Sequence, residues 1–324
     1  MGIPDFLLVG AAKSGTSSLD KYLSQHPDIF IPAKKEAHFF STPDFPDQFT
    51  GPGDEGMNRY TLRSWQEYQS LFDKVHNHKA VGESSVFYLY YPGTAERIAR
   101  TIPKARILIL LRNPVDRAYS AYMHLVRDGR ETLDFEQSLA LEAQRKALHY
   151  EPMWLYKELG MYSGQVRQYL KHFDRRAVKV VLFEEFVRDP QSAMEQIFDF
   201  LGVDTDVHVD TGLRVNESGV PKSRWVYEFI ARPHPLKELI KPLFSQRGRE
   251  RLGARATSLV LQKQTMSEAT RDELTQYFAA DIHMLEYLLD RDLSIWRQNA
   301  GTSVTAGLDG AGACASNVDR VVVR

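Results

Sequence analysis

Three short stretches of this chain carry residue types suited to handling an anion. The first, Gly10-Ala11-Ala12-Lys13-Ser14-Gly15-Thr16-Ser17-Ser18, sets two glycines, a lysine and several hydroxyls directly after the apolar run Leu7-Leu8-Val9. Glycines permit a tight turn and close backbone approach, and a helix that starts there turns its N–H groups toward a phosphate. The second, Lys34-Lys35-Glu36-Ala37-His38-Phe39-Phe40, follows Ile29-Phe30-Ile31 and Pro32. It offers a carboxylate and an imidazole two residues apart, either of which could serve as a general base. The third starts at Arg112, after the apolar run Ile107-Leu108-Ile109-Leu110-Leu111, with Ser120 following on what reads as a helix. An arginine grips a phosphate through paired hydrogen bonds.

The first stretch differs from a Walker A loop in an informative way. That motif places its lysine directly after the second glycine. Here Thr16 follows Gly15, and the lysine comes earlier, at Lys13. Nucleoside triphosphatases also end a central strand in an acid that helps hold Mg²⁺. This chain ends its most apolar run in Arg112 instead, a residue that would repel a metal. Together these features point to an anionic nucleotide bound without metal.

The elements that must position these groups are legible as alternating strands and helices. Leu7–Val9, Ile29–Ile31, Lys79–Ser85, Arg106–Leu111 and Val178–Phe183 read as strands, with Arg106–Leu111 near the sheet centre. Helices are expected through Leu19, Tyr22 and Leu23 with Ser17 or Ser18 as cap, and over Trp65–Asp73 with Trp65, Tyr68, Leu71 and Phe72 on one side. Others span Thr94–Thr101, Pro114 to about Arg127, about Asp134 to His149, Tyr162–Phe173, Pro190 to Leu201 and about Ser267 to Asp290. Ser41 to Asn58 reads as a long irregular loop, of the kind that forms lids or substrate walls. The fold class is therefore α/β: three layers, P-loop-like, with a central, mostly parallel sheet flanked by helices. Ligands bind outside the carboxyl ends of such strands, so the three stretches are expected to share one sheet edge.

Residues 1–298 are expected to form one domain, and 299–324, rich in Gly, Ala, Ser and Thr, a disordered low-complexity tail. Lys plus Arg number 41 against 42 Asp plus Glu, so no global basic field exists for nucleic acid, and anion binding must come from local placement. The single cysteine, Cys314, excludes an intramolecular disulfide and a multi-cysteine metal site. The chain opens on its first strand with no signal-like segment or membrane span, which points to a cytoplasmic enzyme.

The three stretches together resemble the sulfotransferases that use 3′-phosphoadenosine 5′-phosphosulfate (PAPS). Gly10 to Leu19 resembles their 5′-phosphosulfate loop, and Leu111 to Tyr122, with Arg112 and Ser120, their 3′-phosphate element. Lys35-Glu36-Ala37-His38-Phe39-Phe40 resembles the Lys-Glu-x-His-Phe-Phe segment of the heparan-sulfate branch and its bacterial relatives. The resemblance implies that Lys13 neutralises charge on the leaving group. It implies that Ser14, Gly15, Thr16, Ser17 and Ser18 hold the 5′-phosphate, and that Arg112 and Ser120 hold the 3′-phosphate. Glu36 would be the general base, with no metal involved. Spacing alone leaves His38 as a rival base, because residues 36 and 38 of an extended segment point the same way. Val220-Pro221-Lys222-Ser223-Arg224-Trp225 resembles, less closely, the late basic loop that closes over the nucleotide, but lacks the glycine of its Lys-Gly-Arg. The Golgi members' anchor and cysteine pairs are also missing, which weighs against a Golgi address and a heparan substrate.

The expected reaction is transfer of a sulfuryl group to a hydroxyl or amine on a glycan, a lipid, a small metabolite or a carrier-bound chain. Aromatics of the irregular loop (Phe45, Phe49, Tyr60) suit contact with an apolar group or a sugar ring. Two other readings compete. A P-loop nucleotide kinase would need the lysine and acid that this chain misplaces. A non-catalytic nucleotide-binding module would keep Lys13 and Arg112 but has no use for Glu36 and His38.

Overall fold

The computed structural model describes residues 2–211, 220–221, 261–262 and 265–298. Five of the apolar runs become parallel strands: β1 (Phe6–Gly10), β2 (Ile29–Phe30), β3 (Ala80–Ser84), β4 (Arg106–Leu111) and β5 (Val178–Leu182). Their spatial order is β2-β3-β1-β4-β5, so β1 is the middle strand, with β4 beside it. The path from β3 to β4 passes over β1, which puts the switch in strand order, and the crevice it leaves, at the carboxyl end of β1.

Side chains along a strand alternate between faces, and here both faces are covered. Leu7, Val9, Ile107 and Ile109 pack in one cluster with Ile98 of α4 (Thr94–Thr101) and with Ala118, Ala121 and Leu125 of α5 (Pro114–Arg127). Val166 and Tyr169 of a later helix (Tyr162–His172) and Phe278 of the long Glu268–Leu289 helix complete that layer. Phe6, Leu8, Leu108 and Leu110 pack in a second cluster with Leu19 and Leu23 of α1 (Thr16–Leu23). Met194, Ile197 and Phe198 of the Pro190–Leu201 helix join it. Burial on both faces is why these strands read as unbroken apolar runs. The outer strand β5 is an edge, and Arg175 and Arg291 donate to its Val178 and Val180 carbonyls at 3.1 and 3.0 Å.

Among the described residues the other helices are α2 (Glu55–Tyr60), α3 (Trp65–Ser70), α6 (Phe135–Ala140), α7 (Glu142–Ala147), α8 (Tyr162–His172), α9 (Phe183–Arg188), α10 (Pro190–Leu201), α11 (Glu268–Leu289) and α12 (Ile295–Gln298). Four expectations need correction. The helix expected over Asp134–His149 is two, α6 and α7, meeting at Leu141. Glu142 turns inward there and accepts the Lys157 and Glu158 amide N–H groups, both at 2.8 Å, a contact no local pattern reveals. The Ser41–Asn58 stretch contains a 3₁₀ segment (Phe39–Asp44) and the start of α2. The helix over Trp65–Asp73 stops at Ser70, with Tyr68 and Phe72 buried but Trp65 exposed. Finally, neither Ser17 nor Ser18 caps α1; Gly15 takes that position, and both serines lie in the first turn.

A two-residue antiparallel pair, β6 (Val220–Pro221) with β7 (Leu261–Gln262), is also described. Lys222, Ser223, Arg224 and the tail from Asn299 lie outside the described residues. Among the described residues, no helix is long and apolar enough to cross a membrane.

Coverage of both faces makes a measurable claim. Leu108→Ala and Ile109→Ala remove completely buried side chains from opposite faces of β4. Each is expected to lower unfolding stability by about 2–5 kcal/mol in urea titrations. A nearly neutral result for one of them would mean that its face is not packed.

Candidate functional site

The loop after β1 is shaped by positive φ angles. Lys13 sits at φ 68° and Gly15, the residue before α1, at φ 92°. A side chain on Gly15 would be strained, and its Cβ would lie 2.9 Å from the Phe183 ring. The start of α1 receives no side-chain cap, so its first amides stay available to an anion. Ala11 N–H donates to the Leu110 carbonyl at 2.7 Å, tying the loop to β4, and Ser14 is completely buried.

Arg112 reaches back to this loop. One guanidinium N–H donates to the Lys13 carbonyl at 3.3 Å, and the guanidinium carbon lies 4.7 Å from the Phe183 ring centroid. The neighbouring carboxylate Glu184 is already engaged by the Asn113 amide and the Trp296 indole, each at 2.9 Å. Asn113 caps α5 through Val115 N–H, with Pro114 in the first turn as the sequence suggests.

Lys13 titrates low, at about 8 against an ordinary 10.5. Burial is the main cause; among its charged neighbours Arg127, Arg112 and Arg117 depress it further, while Asp128 pulls the other way. Arg117, Ser120 and His124 recur at helical spacing along α5, so they share a face. Two of these escaped the sequence reading. Arg117 is completely buried, and its Nε and Nη1 have no hydrogen-bond partner among the described residues. His124 is pushed down by burial and then by Lys13, and its ring contacts Arg127 at 2.7 Å and Asp128 at 3.5 Å. The three-and-four spacing around Ser120 was the signal that could have found both.

The second stretch forms a tight carboxylate–imidazole pair. His38 Nε2 lies 3.0 Å from Glu36 Oε2, which also accepts the Val86 amide N–H at 3.2 Å. Burial raises the Glu36 pKa, but His38, Lys35 and the Val86 amide outweigh it and hold the carboxyl below its ordinary value. His38 is buried, stacks on Phe87 with centroids 5.2 Å apart, and has no partner for Nδ1 among the described residues. Its main chain is left-handed at φ 52°. Lys35 is drawn away to pair with Asp20 of α1, a residue the sequence reading did not single out. Phe45 comes within 6.1 Å of the His38 ring and packs on Phe49, whereas Tyr60 stays exposed.

Val86 joins the two halves. Its N–H holds Glu36, while its carbonyl lies 2.7 Å from where a Cβ on Gly10 would stand. Only a bare glycine lets the β1 loop press so close to the segment that carries Glu36. The expected convergence of the three stretches therefore occurs at the carboxyl end of β1. Glu83 and Ser85, at the matching end of β3, also lie behind His38 and were passed over as generic polar residues closing a strand.

Comparison with known proteins follows the same residues. Residues 4–207 match the model of a family described as the sulfotransferase family. A crystal structure of a sulfotransferase from Alicyclobacillus acidocaldarius superposes with a TM-score of 0.75 at 50% identity, covering 92% of this chain and 100% of that one. The membrane-associated sulfotransferase kil1 of Dictyostelium discoideum is 36% identical over 120 residues, 37% of this chain and 22% of that protein. The human heparan sulfate glucosamine 3-O-sulfotransferase 3B1 is 25% identical over 209 residues, 64% of this chain and 48% of that one. The chain thus spans less than half the length of these curated relatives.

The depressed Lys13 gives two opposite pH trends. Its folded pKa lies below the unfolded one, so between about 8 and 10.5 the unfolded chain binds more protons. The ligand-free protein is expected to gain stability from this group as pH rises through that window. Affinity for 3′-phosphoadenosine 5′-phosphate (PAP) is expected to fall over the same window, with proton uptake on binding in calorimetry. In Lys13→Met both trends should flatten; unchanged trends would remove Lys13 as their source.

Proposed function

This chain belongs to the sulfotransferase family, and from that premise we propose that its site moves a sulfuryl group from PAPS to a hydroxyl or amine acceptor. The observation that carries the reading is the Glu36–His38 pair, held by Val86 against a loop whose lysine has no ion-pair partner among the described residues. PAPS is the co-substrate, and the residues present suit it. Lys13 and Arg112 supply cations not committed to carboxylates among the described residues, and the uncapped α1 supplies amides. In this reading Ser14, Gly15, Thr16, Ser17 and Ser18 surround the 5′-phosphate, and Arg112 with Ser120 takes the 3′-phosphate. Lys222, Ser223 and Arg224 would approach the nucleotide from the late loop.

Glu36 is assigned as the base and His38 as its aligning partner. The contact with Glu36 uses His38 Nε2, which fits a proton on that nitrogen donated to the carboxylate. Nδ1, which carries the remaining lone pair, is buried without a hydrogen-bond partner among the described residues, on a ring stacked against Phe87. Glu36 Oε2 carries both internal hydrogen bonds, which leaves Oε1 to take the acceptor's proton. As the acceptor oxygen or nitrogen bonds to sulfur, the bridging sulfur–oxygen bond breaks, and Lys13 neutralises charge on the departing phosphate oxygen. A low Glu36 pKa suits orientation of the acceptor as much as strong basicity.

The test is transfer of label from sulfur-labelled PAPS to a panel of sugar, lipid and small-molecule acceptors in excess EDTA. Label is expected on a hydroxyl or amine acceptor despite the chelator. Glu36→Gln should lower turnover by about 10²–10⁴ while PAP binding persists, and His38→Asn should lower it less. Near-normal turnover in Glu36→Gln beside an inactive, PAP-binding His38→Asn would exchange the two roles. Phosphoryl transfer from ATP that needs Mg²⁺ would replace the proposal with a kinase.

A further inference from the structure

Glu83 is a completely buried carboxylate at the carboxyl end of β3, and the reaction as drawn makes no use of it. Burial pushes its pKa up to about 7, against the opposing hydrogen bonds of Ser85 and Tyr88. A carboxylate held in the core at such a cost is poorly explained by packing, which a hydrophobic residue would do better.

Its contacts lead to the base. Ser85 Oγ donates to Glu83 Oε1, and the Tyr68 hydroxyl donates to Oε2 at 3.4 Å. Ser85 Oγ in turn accepts the His38 main-chain N–H at 2.9 Å. The Ser85 hydroxyl thus links the two residues: its proton is given to Glu83, and a lone pair of the same oxygen accepts the His38 N–H. His38 is the residue whose left-handed backbone starts the following 3₁₀ segment and aims its imidazole at Glu36. Val86, next to Ser85, donates its N–H to the same Glu36 oxygen that His38 meets. The groups facing Glu83 are Tyr68, Tyr88, Ser85, His38 and Glu36; the two tyrosines stay protonated, and the other three are Glu36 itself, His38 that meets it and Ser85 that holds His38.

We infer that Glu83 is a positioning residue for the transfer reaction: through Ser85 it fixes the His38 main chain, and with it the imidazole that aligns Glu36. The inference rests on the assignment of Glu36 as base. Glu83 touches neither the acceptor nor the nucleotide in this scheme. Its effect is on geometry, and misplacement of this kind costs turnover more than nucleotide binding.

The experiment measures sulfate release from labelled PAPS into water, an acceptor that needs no identification, with PAP binding by calorimetry in parallel. The variants are Ser85→Ala, Glu83→Ala, Glu83→Gln and, as reference, Glu36→Gln. Ser85→Ala and Glu83→Ala are expected to lower turnover about 10- to 100-fold with PAP affinity unchanged. Glu83→Gln keeps an oxygen for the Ser85 proton and should recover most of the turnover. If Glu36→Gln is impaired while Ser85→Ala and Glu83→Ala turn over normally, the positioning role is wrong and the base assignment stands. If Glu36→Gln itself is unimpaired, the base assignment fails and this inference falls with it. Loss of PAP binding in Ser85→Ala and Glu83→Ala alike would make the pair a support of the fold and overturn the positioning role.

Discussion

The constraint on which this structure depends is the gathering of cations that find no ion-pair partner among the described residues. Lys13, Arg112 and Arg117 lie near enough for Arg112 to depress both of the others, and Arg117 depresses Lys13 as well. None of the three makes an ion pair among the described residues. Burying unpaired charge costs several kcal/mol in general, and proteins retain such an arrangement where a ligand supplies the missing charge. The fold makes it possible by bringing β1 and β4 side by side, so that the loop after one and the arginine after the other meet. The Phe183 ring and the Lys13 carbonyl hold the Arg112 guanidinium in place without neutralising it.

A second requirement is that the proton-accepting group stay fixed relative to that charge. Two contacts serve it. Val86 bonds Glu36 with its N–H while its carbonyl lies against Gly10, and the Lys35–Asp20 pair ties the segment before Glu36 to α1. Glu36 and the β1 loop are thus braced by β3 and α1 rather than carried on a free loop. The proposed transfer rewards such bracing, since alignment and charge neutralisation carry most of the rate of an in-line reaction.

Much of this was legible in the sequence because the decisive patterns are local. β4 and α5 fall where the apolar run and Pro114 put them, since Pro114 suits a first turn; the Asn113 cap is what the structure adds. The convergence of Lys13, Glu36 and Arg112 followed from one rule about carboxyl ends of parallel strands. What escaped was long-range. Leu141 interrupts a helix because Glu142 bonds amides at 157 and 158, and Gly15 displaces the serines as cap because the loop must turn under Phe183. Glu83 and Arg117 looked like ordinary polar residues until their burial was known. The proposed choice of Glu36 over His38 likewise rests on which nitrogen meets the carboxylate and on the burial of the other, which spacing does not show.

The account's central claim is that the uncompensated cations read the nucleotide, with Arg112 assigned to the 3′-phosphate. Calorimetry of Arg112→Ala with PAP and with adenosine 5′-phosphate tests it most directly, since the two ligands differ only in that group. Loss of a charge-assisted contact should weaken PAP by about 1.5–3 kcal/mol and leave adenosine 5′-phosphate nearly unchanged. Equal losses for both nucleotides, or none for PAP, would contradict the claim.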